Sequence, residues 1–213
     1  MLVLLHGTSG ACRSVQEAGS YPLGAAEIYS SGSSATPTHQ LVPALVFFTG
    51  TGWRKENIVD AVKTAAEILG QCGIEIPSAR LHLLDAPDKF KYYYVPISRE
   101  LARIAPFPKP TVYFVKETLQ AVGYDAEAIG KSNSGTRPEL RDTIWIAFGA
   151  RDLGFSLAHE LAHVLMDSGE HIDEPDNLMN KESSPHSRKL SAGQCQRMRA
   201  RGSENGLLRP VAR

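Results

Sequence analysis

"SLAHELAHVLMDSGEHIDEPDNLMN", Ser156 to Asn180, holds two histidines four positions apart, His159 and His163, with Glu160 beside the first and His171 eight residues past the second. Leu157, Leu161, Val164 and Leu165 recur at helical spacing, and Ala158 and Ala162 are small enough for close packing. The stretch therefore predicts a helix of about four turns with one buried stripe. Asp152 is placed to cap its start, and Gly169 to end it in the left-handed conformation. On such a helix the two histidines project from one face, about 6 Å apart along the axis. Imidazoles so placed can converge on one ion through bonds of about 2.0 to 2.1 Å. Glu160, about 100° round the helix, can reach a water on that ion without binding the ion itself. The competing reading is an ordinary amphipathic helix with polar residues on its wet side.

A catalytic zinc takes three protein ligands and keeps one position open. Asp167, Glu170, His171, Asp173, Glu174, Asp176 and His186 are the candidates for the third. Asp167 continues the line of the first two along one helix edge and cannot reach an ion bound between them. His171 lies just past Ser168-Gly169, where the chain can reverse, and imidazole suits borderline-soft zinc better than a lone carboxylate. His171 is therefore preferred, Glu170 second and His186 third. The acidic residues of this segment read as solvated loop charge sooner than as a calcium site.

Residues 159 to 180 resemble the active-site region of zincin metallopeptidases of the metzincin type: two helix histidines, a glycine turn, a third histidine and a later methionine turn. Here those are His159, Glu160, His163, Gly169, His171 and Met179 of "DNLMN". The spacing departs from the family pattern, which has glycine three and histidine six residues after the second helix histidine. In this chain Gly169 is six and His171 eight residues after His163, and no tyrosine follows Met179.

The resemblance implies a zinc-dependent metallopeptidase with His159, His163 and His171 as ligands of Zn2+, Glu160 as catalytic general base and Met179 as an apolar floor beneath the metal. It also implies an α/β (α+β) fold, a mixed twisted sheet with a backing helix, an active-site helix and a C-terminal helix. A protein or peptide substrate would lie extended across the helix against a sheet edge, taken here as Thr111 to Glu117, with Lys181 to Ser191 bordering a specificity pocket. A zinc hydrolase of other amides and a zinc-binding inhibitory protein without turnover are the alternatives.

The rest of the chain fits one such domain, expected over residues 41–213. At 213 residues and 42% hydrophobic it can bury one sizeable core. "ALVFFTG" (Ala44 to Gly50), "ARLHLLDA" (Ala79 to Ala86), "TVYFVKE" (Thr111 to Glu117) and "DTIWIAFG" (Asp142 to Gly149) read as strands. Between the first two, Ile58, Val62, Ala65, Ala66 and Leu69 mark a helix with one apolar face. Lys89 to Pro96 is ambiguous, its tyrosines Tyr92, Tyr93 and Tyr94 reading as core aromatics, and "FTGTGW" (Phe48 to Trp53) is a tight turn that lacks the spacing of a phosphate loop.

Lys plus Arg (23) equals Asp plus Glu (23), so no net field attracts nucleic acid. No apolar run approaches the roughly 20 residues of a membrane span. Residues 1–40 read as a leader and linker. "MLVLLHGTSGACRS" (Met1 to Ser14) resembles the tail of an export signal or a lipoprotein cleavage site at Cys12, which points to an extracytoplasmic or secreted protein, or else is a plain terminus. Cys72 and Cys195 either form a disulfide in an oxidising compartment or lie as two buried thiols.

Overall fold

A computed structural model describes residues 14–28, 36–118, 126–150, 152–180 and 186–211. Along the chain run β1 (Gln16–Gly24), α1 (Ala25–Ile28), β2 (His39–Leu41), β3 (Ala44–Phe48), α2 (Lys55–Gly70), β4 (Ile74–Glu75) and β5 (Ser78–Asp85). After a short 3-10 turn at Asp88–Lys91 come β6 (Tyr92–Tyr93), α3 (Val95–Ile104), β7 (Thr111–Val115), β8 (Glu117–Thr118), β9 (Ala126–Ile129) and β10 (Thr143–Ala147). The last elements are α4 (Leu153–Met166), α5 (Ala192–Glu204) and β11 (Leu208–Pro210).

The main sheet has the order β1-β5-β3-β7-β10-β9. Its four inner strands are parallel, and β1 and β9 close the two sides antiparallel. Every residue of β3, β7 and β10 is buried, as expected where parallel strands are covered on both faces. Side chains alternate between two cores. Val112, Phe114, Ile144 and Ile146 pack with α2 and α4, while Tyr113, Val115 and Trp145 face the opposite side with Tyr93 and Leu101. The apolar stripe expected on α2 is buried at all five positions, and α4 lies close beside α2. A methyl group on Gly154, at the start of α4, would collide with Thr64 of α2.

Three expectations change. Among the described residues the main sheet already includes a strand upstream of Leu41, because Gln16 to Gly24 pairs along the whole of β5. "QEAGSYPLG" is mostly exposed and lacks apolar alternation, so ladder hydrogen bonds, not a hydrophobic pattern, make it a strand. Residues 1–13, Cys12 included, and 29–35 of the expected leader and linker lie outside the described residues. Thr111 to Glu117 is not an edge: β7 runs between β3 and β10, and β9 is the outermost strand on that side among the described residues. Finally, α4 ends at Met166, and the left-handed residue is Asp167 (φ 50°, ψ 49°), not Gly169.

Cys72, just past α2, is disulfide-bonded to Cys195 in α5, with the two Cα atoms 4.8 Å apart. The bridge ties the C-terminal helix to the helical layer behind the sheet. None of the described helices is long and apolar enough to cross a membrane.

Candidate metal centre

The centre is built from α4 outward. Asp152 caps the helix as expected, its carboxylate accepting from the Phe155 N–H at 3.0 Å. Burial of Leu157, Leu161, Val164 and Leu165 fixes the rotation of α4 and turns His159 and His163 towards the segment that follows it. These histidines are only 7% and 8% exposed.

The chain then reverses. The Asp167 and Ser168 N–H groups donate to the carbonyls of Val164 and His163, at 3.2 and 3.1 Å, and close the helix end. The Asp167 carboxylate accepts from the Ser132 N–H at 2.8 Å, which ties the turn to the loop after β9. Downstream, the Ile172 N–H donates to the Met179 carbonyl at 2.9 Å, holding the stretch that carries His171 against the turn at Asp176 to Asn180. In that turn the Asn177 side-chain oxygen accepts from the Met179 N–H at 2.9 Å, and Leu178 and Met179 are buried.

The three imidazoles meet at their Nε2 atoms, with His159 and His163 3.0 Å apart and each 3.2 Å from His171. At the other side of its ring, His159 Nδ1 is 2.7 Å from the Leu178 carbonyl oxygen, and His163 Nδ1 is 2.7 Å from that of Ser168. A carbonyl oxygen only accepts, so each Nδ1 carries the proton and donates it. Both Nε2 atoms of the helix histidines are therefore bare lone pairs aimed at each other. Neither can donate to the other, and what the arrangement accommodates is a cation. Tetrahedral bonds of about 2.0 to 2.1 Å set donor atoms roughly 3.3 Å apart, close to the observed triangle. The donor set thus fits a borderline metal such as zinc, with one face left open by the exposure of His171.

The electrostatics agree with neutral rings. Burial, then the neighbouring His159 and His171, hold His163 down to about 4, against the partial support of the Ser168 carbonyl. His159 and His171 are also lowered, chiefly by burial. Glu160 goes the other way: although it keeps some solvent access, the protein packed around its carboxyl, and then Glu127 on β9, push it up to about 8.

The other candidates for a third ligand are occupied elsewhere or lie outside the cluster. Glu170 pairs with Arg197 at 3.2 Å, Asp176 with Lys189 at 2.7 Å, and Glu174 accepts from Asn177 at 3.2 Å. Asp173 and His186 are not in the group, and the acidic residues form no ion-holding cluster among the described residues. Of the segment expected to border a pocket, residues 181–185 lie outside the described ones. Of the three tyrosines Tyr93 is a core aromatic, its ring 5.1 Å from that of Trp145 and its hydroxyl raised to about 12, mainly by burial, whereas Tyr92 is half-buried and Tyr94 exposed.

The residue reading missed the two carbonyls, Leu178 and Ser168, that orient the rings, because backbone groups leave no trace in side-chain spacing. It also missed Asn177 and Gln194, whose carboxamides bond to each other at 3.0 Å in both directions. A legible signal existed in "SAGQ" (Ser191 to Gln194), a helix-capping pattern that the structure completes.

No family model matches the chain, and no curated protein does. Among solved structures it is similar to metalloproteinase-II from Bacteroides fragilis, with a TM-score of 0.52 and 18% sequence identity, over 80% of this chain and 55% of that one. The chain thus spans little more than half the length of that protein. The likeness shows a shared metalloproteinase-like fold, a mixed sheet backed by helices.

Proposed function

We propose that this chain is a zinc-dependent metallopeptidase of the metzincin type that hydrolyses peptide bonds in protein or peptide substrates. The observation that carries the reading is the convergence of three Nε2 atoms within 3.2 Å, two of them stripped of protons by carbonyl partners on the far side of the ring. His159, His163 and His171 would hold the ion, with Met179 in the apolar layer beside them. Zinc at such a site polarises a carbonyl and brings the pKa of a water close to neutrality.

Glu160 is the general base, taking the proton of the attacking water and passing it to the leaving amine nitrogen. In the metal-free chain its carboxyl is protonated near neutral pH. It becomes the carboxylate once positive charge sits among the imidazoles. The retained glutamate favours turnover over mere binding, since a structural site needs no base. β9, the outermost strand on its side among the described residues, offers an edge to which an extended peptide can add. A buried disulfide suits an oxidising, extracytoplasmic setting.

The test pairs metal content with turnover. Purified protein is expected to carry about one zinc per chain and to cleave unfolded protein. Glu160→Gln should keep the zinc and lose activity by about 100- to 10,000-fold, the usual contribution of a general base. Cleavage at the wild-type rate by that variant would sink the reading. Hydrolysis of small amides without cleavage of unfolded protein would move it to a zinc amide hydrolase of another kind.

A further inference from the structure

We propose that Gln194 is a positioning residue for the metal site, its carboxamide fixing the orientation of Asn177 and through it the turn that aims His159. The inference rests on the metal-site reading and extends it to a residue on another helix.

The route is a sequence of hydrogen bonds in which each donor dictates the next. The Ser191 N–H, which can only donate, meets Gln194 Oε1 at 2.7 Å. That choice fixes the other end of the amide, and Gln194 Nε2 donates to Asn177 Oδ1 at 3.0 Å. Asn177 Nδ2 donates back to Gln194 Oε1 at 3.0 Å. Asn177 Nδ2 also donates to the Glu174 carboxylate at 3.2 Å, so Gln194 and Glu174 together turn Asn177 Oδ1 to accept from the Met179 N–H at 2.9 Å. Rotated by half a turn, the Asn177 amide would set donor against donor there, leaving a buried N–H without an acceptor. Between Asn177 and Met179 lies Leu178, whose carbonyl accepts from His159 Nδ1 at 2.7 Å.

Capping of α5 does not need the amide nitrogen of Gln194. A capping box uses only an acceptor at this position, and glutamate serves as well as glutamine. Among the described residues the nitrogen donates to Asn177, which is 3% exposed. The neighbouring Cys195 is bonded to Cys72, so the first turn of α5 is anchored to the segment just past α2 as well as to the methionine-bearing turn. Gln194 thus links a cross-linked helix pair to the orientation of one imidazole.

The distinguishing variant is Gln194→Glu, which keeps the acceptor for Ser191 and removes the donor facing Asn177 Oδ1. Thermal stability should fall, but by less than in Gln194→Ala, because the cap of α5 is kept. Zinc affinity, read by competition with a chromophoric chelator, should fall about three- to tenfold, at or below the usual effect of groups one shell outside a metal. In the metal-free full chain, amide hydrogen exchange at Met179 should quicken by about tenfold. Gln194→Ala, which loses the cap too, should lower stability as well as affinity. Unchanged zinc affinity in Gln194→Glu overturns the proposal. So does a loss of affinity without faster exchange at Met179, since the added charge would then act through space. A wild type that holds no zinc overturns the metal-site reading itself, and the role of Gln194 there with it.

Discussion

The histidines of the site stand on two unlike supports. His159 and His163 come from a buried helix, their rotation set by four apolar neighbours and their rings each held by a carbonyl. His171 comes from an exposed stretch held by a few hydrogen bonds at Asp167, Ile172 and Met179. The helix offers a pair of lone pairs at no further ordering cost, whereas the loop must be kept in place to complete the triangle. Rigid elements give precision, and a loop supplies the direction no single helix can.

Removing one member from each support puts that difference to the test. Zinc binding of about 10–16 kcal/mol shared over four ligands assigns roughly 3 kcal/mol, or about two decades of affinity, to each. His163→Ala should therefore weaken zinc about 100-fold or more. His171→Ala should cost less, about tenfold, because part of what the loop gains in binding is spent on its ordering. Chelator competition on both variants measures the gap. Equal affinity in His171→Ala and wild type would remove the loop from the site.

Acid and base act on the two faces of the helix in opposite senses. In the metal-free chain burial holds His163 at about 4, while the unfolded chain protonates near 6.5. The stability this ring contributes is complete above 6.5 and is lost as pH falls towards 4. Glu160, raised from 4.5 to about 8, contributes stability below 4.5 that is lost as pH rises to 8. Metal-free protein should accordingly melt at higher temperature near pH 6.5 than near pH 8, by a net amount worth about 1 kcal/mol after the opposing contribution of His163. Glu160→Gln should flatten that slope, and a slope unaffected by the substitution would refute the assignment. Calorimetry across the range reads both.

The smallest effects distinguish the two ends of α4. Asp152→Ala removes an N-terminal cap and should cost about 1 kcal/mol without touching zinc affinity. Asp167→Ala removes the anchor to Ser132 and leaves alanine at positive φ, so it should cost about 2 kcal/mol and also weaken zinc a few-fold. Thermal melts with parallel metal titrations separate the two. Equal zinc affinity in both variants would make the exit turn irrelevant to the loop.

Much of this was readable from the chain. The stripes of α2 and α4, the four inner strands as strands and the cap at Asp152 follow from local periodicity and side-chain chemistry. The grouping of His171 with the helix pair follows from its place after a reversing turn. What misled was non-local. Gly169 looked like the helix stop because glycine reaches the left-handed region freely, yet Asp167 takes it, held by Ser132 from a distant loop. Thr111 to Val115 looked like a candidate edge because strand order is not written in any single strand. β1 carried no apolar alternation at all.

By itself the sequence determined the four inner strands, α2, α4 and the donor chemistry, because a period of hydrophobic residues and a four-residue histidine spacing act within one or two helical turns. Only the tertiary structure decided which strand lies at the edge, which residue turns the helix exit, and which carbonyls orient the imidazoles. Those depend on backbone groups and on partners tens of residues away, whose pairing emerges only when the sheet and helices pack together.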